Sequence, residues 1–217
     1  MEIDHILICS KNRAVVADTL INAGFTEGAG NTHPGQGTSN RRFFFHNAYI
    51  EFLYQQENPQ LIDNQDKLDI LKRLNCPDGS CSPFGVGFRP SELNEKARFP
   101  TWRYKPPYLP DNYEINVGEA PVNEPLWFFL NFSCRPDRLP SAKQPPLRHQ
   151  CGVSELTSVT LTVKEDAPLS PTTQNIIASG IVSLEFGSNP FLTLVFDHNQ
   201  QNKRISLLPE LPLTIHY

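Results

Sequence analysis

The chain has 217 residues, 39% hydrophobic and 19% charged, which suits one large domain or two small ones with a buried core. Its net charge of −4 is spread without a basic cluster, which argues against a nucleic-acid partner. No apolar run approaches the roughly 20 residues of a membrane span, and a strand pattern from residue 2 onward lacks the features of a secretory signal. We therefore expect a soluble cytoplasmic protein with no membrane partner.

The first segment, residues 1–56, has the pattern of a strand, a helix and further strands. Ile3–Cys9 alternates as a strand does, and Ser10 is a candidate N-cap for the helix that follows. Gly24 followed by Phe25 predicts the end of that helix, because glycine accepts the left-handed conformation common at helix C-termini. The predicted order is strand, helix and then three strands.

Two of those strands, Arg42–His46 and Tyr49–Tyr54, form a predicted hairpin with Asn47-Ala48 as its turn. This turn places His46 opposite Tyr49. Side chains alternate between the two faces of a strand, so one face packs under the helix. The other face is polar and aromatic and is the predicted wall of a pocket; it carries Arg42, Phe44, His46, Tyr49, Glu51 and Leu53.

His5 and Glu51 are predicted to share this pocket face, because apolar residues of the first strand face the helix. A His and a Glu that converge on one face can be half of a metal site or an acid–base pair. The structural alternatives are a histidine bonded to a backbone carbonyl and a cross-strand ion pair of Glu51 with Arg42 or His46. From the residues alone, these alternatives stay open.

The glycine-rich loop His33–Asn40 is a candidate ligand-binding segment beside the pocket. Its glycines let the backbone approach a ligand closely, and successive N–H groups can form an anion-binding nest. The alternative is a flexible connector between two strands. With residues of the neighbouring strands, the predicted ligand contacts here are His33, Gln36, Gly37, Thr38, Asn40, Arg42 and Tyr49.

The middle part, residues 57–134, is predicted to hold a linker helix and a second, divergent unit of the same order. Phe84–Phe88 is its predicted first strand, Pro90–Leu93 opens a short helix, and Leu126–Phe132 is the closing strand. Trp127 of the closing strand is a further candidate ligand contact.

Proline marks this middle region, since 13 of the 20 prolines lie between Pro77 and Pro146. Proline cannot donate to a sheet ladder, so the region is predicted to be rich in turns and irregular strands. Residues 135–150, with four prolines, are the predicted linker to the last part.

The last part, residues 151–217, is predicted to be a third βαβββ unit. Ser170-Pro171 is a helix cap with proline at the first helical position. The predicted strands are Leu156–Val163, Ile181–Phe186, Phe191–Phe196 and Ile205–Leu208, the second and third joined as a hairpin.

The five cysteines include one close pair, Cys76 and Cys81. Zinc sites usually combine such a pair with a second Cys or His cluster, and none follows in the sequence. We interpret both as reduced loop thiols, with a local disulfide as the alternative.

A family resemblance is carried by the motifs Ile3–Ile6, Ala23–Phe25, His33–Asn40 and Tyr49–Leu53, and is extended by Leu126–Leu130. They resemble the glyoxalase-like branch of the vicinal oxygen chelate superfamily. The resemblance implies an α+β fold in which repeated βαβββ units form mixed sheets that curl into an open barrel around a pocket. Three units leave one without a partner in the chain, which predicts a homodimer.

The resemblance also implies a divalent metal ion (zinc, iron, manganese or nickel) held by a His on the first strand and a carboxylate on the fourth. In this chain those positions are His5 and Glu51. The second unit offers Gly85 and Trp127–Phe129 at the equivalent positions, and these are poor metal ligands. The candidates for a third ligand are His46 and His33.

Two functions follow. The first is a metal-assisted lyase, isomerase or dioxygenase that acts on an oxygenated small molecule through His5 and Glu51. The second is a metal-free module that binds or sequesters an aromatic or anionic ligand, which the space left at Gly85 favours. Its predicted stacking surfaces are Phe44, Tyr49, Trp127 and Phe129. Hydrolase and nucleotide-binding motifs are missing from the sequence.

Overall fold

The computed structural model describes residues 1–57, 67–76, 79–165 and 168–217, so part of the predicted linker helix region lies outside the described residues. Within them, an eight-stranded sheet contains β1 (Glu2–Cys9), β2 (Thr32–His33), β3 (Thr38–Phe44), β4 (Tyr49–Gln55), β5 (Phe84–Arg89), β6 (Thr101–Tyr104), β7 (Ile115–Gly118) and β8 (Leu126–Phe129). A five-stranded sheet contains β9 (Leu156–Lys164), β10 (Ser183–Gly187), β11 (Phe191–Phe196), β12 (Arg204–Ser206) and β13 (Leu213–His216). The helices are α1 (Asp18–Asn22), α2 (Ile70–Leu74) and α3 (Pro171–Ala178), with 3₁₀ segments at Asn12–Ala17, Pro136–Arg138, Ser141–Lys143 and Asp197–Asn199.

The eight-stranded sheet consists of two halves with the same strand order. Its order β2-β3-β4-β1-β5-β8-β7-β6 places the first strand of each half side by side at the centre. β1 is parallel to β4 and β5 is parallel to β8, whereas β1 and β5 are antiparallel. The sheet curls into a half-barrel. The predicted α+β class, with repeated units in mixed, curled sheets, is confirmed.

The last part differs from the predicted third copy in its strand order, β10-β9-β11-β13-β12. The predicted hairpin of residues 181–186 with 191–196 is wrong, because β9 lies between β10 and β11 and pairs with both. Alternation identifies a strand but does not specify its partners. A further strand, β13, pairs with β11 and β12 and was not predicted.

Helix α3 packs against the second half of the eight-stranded sheet. Trp127 Nε1 donates to Thr173 Oγ1 at 2.7 Å, and Ser170 N donates to Glu124 Oε1 at 2.7 Å. The helix predicted to open at Pro90–Leu93 is wrong, since this segment forms bends and a turn. The last part of the chain therefore supplies a helix that covers this half of the sheet.

Two of the predicted helix boundaries are confirmed and one is wrong. Ser170 caps α3, because its side chain accepts from Thr173 N at 3.2 Å. Gly24 ends the first helical segment with a φ of 91°. Ser10 is not the cap of that segment, which has Lys11 at its N-cap without a side-chain hydrogen bond. Across the described ranges, no helix is long and apolar enough to cross a membrane.

The hairpin of β3 and β4 has a different register from the predicted one. Phe44, rather than His46, lies opposite Tyr49, and the turn consists of His46 and Asn47. Asn is a favoured turn residue and Ala is not, which explains why the turn moves toward His46. The shift is two residues, so each strand residue keeps its predicted face.

A disulfide joins Cys76 to Cys81, with Cα atoms 5.9 Å apart. This separation is in the usual range for a disulfide. The interpretation as reduced thiols is therefore wrong, and the alternative of a local disulfide is confirmed. Residues 77–78 of the intervening loop lie outside the described residues.

Candidate ligand-binding site

A cavity of about 440 Å³ lies on the inner face of the curled sheet, between its two halves. This volume is within the range of small-molecule sites. The first half contributes a polar wall that includes His5, His33, Gln36, Asn40, Arg42 and Glu51. The second half and α2 contribute an apolar wall that includes Ile70, Ile115, Val117, Leu126, Phe128 and Leu130.

His5 and Glu51 meet at the centre of the polar wall, as the alternation of β1 and β4 predicts. Leu7 lies opposite Glu51 and His5 opposite Tyr49 in the parallel pair, so both functional side chains point to the same face. His5 Nε2 is 3.3 Å from Glu51 Oε2, and the imidazole stacks on the ring of Tyr49 with centroids 4.4 Å apart. Both side chains of the pair are buried.

The opposite edge of the His5 ring is held by Asp4. His5 Nδ1 lies 2.7 Å from Asp4 Oδ1, and the second carboxylate oxygen of Asp4 accepts from Ser133 and lies 3.5 Å from Arg89 Nη1. Asp4 was not predicted, because alternation places it on the face opposite His5. A register shift between Ile3 and His5 in the pairing of β1 with β5 breaks the regular pattern at this point.

This arrangement makes His5 a cation and Glu51 an anion. Burial lowers the pKa of His5, but the hydrogen bonds and charges of Asp4 and Glu51 outweigh it and raise that pKa to about 9. Burial raises the pKa of Glu51, but the hydrogen bonds from His5 and Asn40 and the charge of His5 lower it to about 2. Of the alternatives for Glu51, the structure shows an ion pair, with His5 as the partner rather than Arg42 or His46.

The second half of the sheet has no counterpart of this pair. With the two-fold axis of the antiparallel first strands at the pair Ile6↔Val86, Gly85 is the equivalent of His5, the position that the sequence predicts for it. Since Leu7 pairs with Glu51 and Gly87 pairs with Phe128, Phe128 is the equivalent of Glu51. The predicted space at Gly85 is also missing, because a Cβ there would lie 2.8 Å from Leu126 O.

The donor set does not fit a catalytic metal ion. His5 is bonded through Nδ1 to Asp4 and lies through Nε2 against Glu51, and the carboxylate oxygens of Glu51 are engaged, one by His5 and one by Asn40. Zinc and non-haem iron sites in enzymes use three protein ligands. In the described ranges, no group of three His, Cys, Asp or Glu residues is arranged to hold a metal.

His46 lies outside the cavity. It occupies the turn after β3, and its backbone N–H donates to Ser154 O at 3.0 Å. The register shift of the hairpin removed it from the strand position that had placed it beside Glu51. The arrangement therefore does not bring His46 to His5 and Glu51 as a third ligand.

The loop after β2 contributes side chains rather than a backbone nest. The N–H groups of Gln36 and Gly37 both donate to His33 O, at 3.1 and 3.2 Å, so they are not free for an anion. His33 and Gln36 line the cavity, whereas Thr38 lies behind them and is fully buried. Gly37 has a φ of 72°, which glycine adopts without strain and which the turn into β3 requires.

Trp127 faces away from the cavity, contrary to the prediction. It is fully buried in the core that α3 covers, and Phe129, two residues further on β8, shares its face. Leu126 and Phe128 line the cavity in their place. The prediction failed because the strand Leu126–Phe132 is apolar on both faces, so its sequence does not show which face is the inner one.

Tyr108 and α2 complete the wall and were not predicted as part of the site. Tyr108 lies in an irregular segment and packs against His33 with ring centroids 4.6 Å apart and ring planes tilted by 36°. Leu68 and Ile70 reach the cavity from the segment that contains the start of α2. Neither segment has a strand periodicity from which its direction could be inferred.

The comparisons with known proteins agree with this geometry. A family model described as a glyoxalase-like domain matches residues 3–177. The crystal structure of a hypothetical protein from Staphylococcus aureus is similar, with a TM-score of 0.50 and 11% sequence identity over 99% of this chain and 98% of that one. No curated protein matches the chain. The family match covers most of the chain and confirms the predicted resemblance: the chain belongs to the glyoxalase-like domain family, within the vicinal oxygen chelate superfamily.

Proposed function

We propose that the protein binds a small monoanion with an apolar body in this cavity, without a metal ion. The observation that carries the proposal is the state of Arg42. Its Nε donates to the carbonyl of Ala29 at 2.8 Å and its guanidinium lies 5.0 Å from the ring centroid of Phe44. Within the described chain, no carboxylate lies within ion-pair distance of Arg42, although Glu51 is opposite it on β4.

The other charges of the site are balanced. Among the charged side chains that line the cavity, His5 and Glu51 neutralise each other, and Asp4 behind the wall shares Arg89 with Glu2. Arg42 thus leaves the cavity with one uncompensated positive charge. A guanidinium at the wall of a partly enclosed cavity attracts a carboxylate or an enolate and bonds it through two N–H groups.

The second half of the sheet determines the rest of the ligand. The wall of leucine, isoleucine, valine and phenylalanine side chains offers no charged group within the described residues. An apolar ligand group that packs against this wall gains about 25 cal/mol of binding free energy for each Å² of apolar surface removed from water. An aliphatic or aromatic body joined to one anionic group therefore matches both walls.

Acid–base catalysis by His5 and Glu51 matches the site less well. A catalytic acid or base works best when its pKa is near the working pH. The pKa values of about 9 and about 2 keep His5 protonated and Glu51 ionised across neutral pH. The pair therefore acts as a fixed ion pair that shapes the polar wall.

The test is calorimetric titration of the chelator-treated protein with straight-chain monocarboxylates of four to ten carbons and with the matching neutral amides. We expect the carboxylates to bind and the amides to bind at least tenfold more weakly. Arg42→Gln is expected to lose roughly 10- to 100-fold in affinity, since a hydrogen bond to a charged group contributes about 1.5–3 kcal/mol. Arg103→Gln is the matched control, because Arg103 lies on β6 with a side chain 77% exposed.

Three results would contradict the proposal. The first is the failure of every acid to bind, and the second is equal affinity in wild type and Arg42→Gln. The third is a stoichiometric metal in the protein as purified whose removal abolishes binding.

A further inference from the structure

Thr38, which lies behind the cavity wall, determines which ring nitrogen of the cavity residue His33 carries the proton. Thr38 Oγ1 donates to Gln36 Oε1 at 2.7 Å and also lies 2.9 Å from His33 Nδ1. A hydroxyl has a single proton, and Thr38 uses it on the amide oxygen. The bond between Thr38 and His33 must then have the imidazole as donor, so the proton of His33 is on Nδ1.

The surroundings of His33 also favour its neutral form. Burial lowers its pKa, and the positive charges of Arg42 and His5 lower it further, while Glu51 acts in the opposite sense. A neutral ring with its proton on Nδ1 has a lone pair on Nε2. The ring of Tyr108 packs against this ring at the cavity wall, with the two planes tilted by 36°.

The neighbouring polar groups leave this lone pair as an acceptor for a ligand. Both oxygens of Glu51 are engaged, and Asn40 uses its amide nitrogen on Glu51 and its amide oxygen on the N–H of Asn31. Arg42 is a donor only. The side-chain hydrogen bond of His33 within the described part of the chain uses Nδ1 and leaves Nε2 at the other side of the ring.

We infer that the ligand is a hydroxylated monoanion, whose hydroxyl group donates to His33 Nε2 while its anionic group binds Arg42. This inference rests on the proposed function for the anionic group and adds the hydroxyl. An acid that lacks the hydroxyl offers this acceptor no partner, and polar sites discriminate between ligands on this ground.

The first test needs no ligand and reads the imidazole nitrogens by long-range ¹H–¹⁵N correlation NMR at pH 7. We expect His33 in the Nδ1–H form in the wild type. Thr38→Val has nearly the same shape and removes the acceptor, so the Nδ1–H form is expected to lose its dominance. A wild-type His33 that is doubly protonated, or protonated on Nε2, overturns the inference.

The second test compares hexanoate with its 2-, 3-, 4- and 5-hydroxy derivatives by calorimetry. We expect at least one hydroxy isomer to bind about tenfold more tightly than hexanoate. His33→Phe keeps an aromatic ring beside Tyr108 and is expected to abolish this advantage, so that hexanoate and its hydroxy derivatives bind this variant with equal affinity. Thr38→Val is expected to reduce the same advantage, which provides a second variant if His33→Phe does not fold.

The outcomes separate the two proposals. Binding of hexanoate with no preference for any hydroxy isomer overturns the inference and leaves the proposed function in place. A hydroxyl preference that survives in both variants also overturns it. The failure of all these acids to bind the wild type overturns both.

Discussion

Replacement of Glu51 by glutamine tests whether the His5–Glu51 pair is a structural ion pair. Glu51→Gln keeps the shape of the side chain and its contact with Asn40 but removes the negative charge next to His5 Nε2. His5 keeps only Asp4 as a counter-charge, so its pKa is expected to fall. The variant thus changes the electrostatics of the polar wall with little change in packing.

The expected loss of stability follows from the burial of both partners. Removal of one member of a buried ion pair destabilises a protein by about 3–5 kcal/mol. His5 retains Asp4, so we expect the lower end, about 3 kcal/mol. For a chain of this length each kcal/mol shifts Tm by about 2–4 °C, which gives a decrease of roughly 6–12 °C. The control is Glu114→Gln, whose partner Arg103 is exposed, with an expected cost of about 0–1 kcal/mol.

The pH dependence of stability provides a second test of the ion pair, because each partner loses its contribution in a defined pH direction. The pKa of His5 is raised from 6.5 to about 9, so its contribution is complete below pH 6.5 and is lost as the pH rises toward 9. The pKa of Glu51 is lowered from 4.5 to about 2, so its contribution is complete above pH 4.5 and is lost as the pH falls toward 2. As far as this pair decides, wild-type stability is highest between pH 4.5 and 6.5.

Thermal unfolding at pH 6 measures the loss of stability, and urea unfolding at half-unit steps from pH 2 to pH 9.5 measures its pH dependence. In Glu51→Gln, the alkaline loss of stability is expected to begin near pH 6.5 as in the wild type but to end at lower pH, because the pKa of His5 in the folded state is lower. The reasoning is refuted if Glu51→Gln unfolds within 2 °C of Glu114→Gln at pH 6, or if its alkaline limb coincides with that of the wild type.

Two substitutions elsewhere test the packing of the site. Gly87→Ala places a Cβ 2.7 Å from Phe128 and 2.9 Å from His5 Cε1, so we expect a loss of about 1–3 kcal/mol and a moved ring of Phe128, seen in urea unfolding and in aromatic NMR shifts. An unchanged midpoint would mean that the two halves are not in close contact at this point. Thr173→Val leaves the buried Nε1 of Trp127 without its acceptor, so we expect a loss of about 1–3 kcal/mol in stability. The near-ultraviolet circular dichroism of the protein is expected to change as well. An unchanged spectrum would show that α3 does not hold this ring.

The shared face of His5 and Glu51 could be predicted from the sequence although the hairpin register could not. The predicted and observed registers differ by two residues, and an even shift leaves every side chain on the same face. The turn itself was ambiguous because His46, Asn47 and Ala48 contain no glycine to fix the loop. A shift of one residue would have moved Glu51 into the core.

The missing parts of the site depend on contacts between distant segments. Trp127 belongs to the core only because α3, more than forty residues further along the chain, covers that face of β8. Asp4 reaches His5 through an irregularity in the pairing with β5, which no local periodicity reveals. Such features are decided by tertiary packing, so a single sequence carries little local signal for them.

The difference in side chains between the two halves of the sheet accounts for the proposed class of ligand better than either half does alone. Equivalent positions hold His5 and Glu51 in one half and Gly85 and Phe128 in the other, so the symmetric strand order builds an asymmetric cavity. A symmetric set of ligands would favour a metal ion at the centre. Here the ion pair is closed on itself, and the remaining charge, on Arg42, faces an apolar wall across the cavity. We therefore expect the proposed ligand, with one anionic end and one apolar end, to bind in a single orientation.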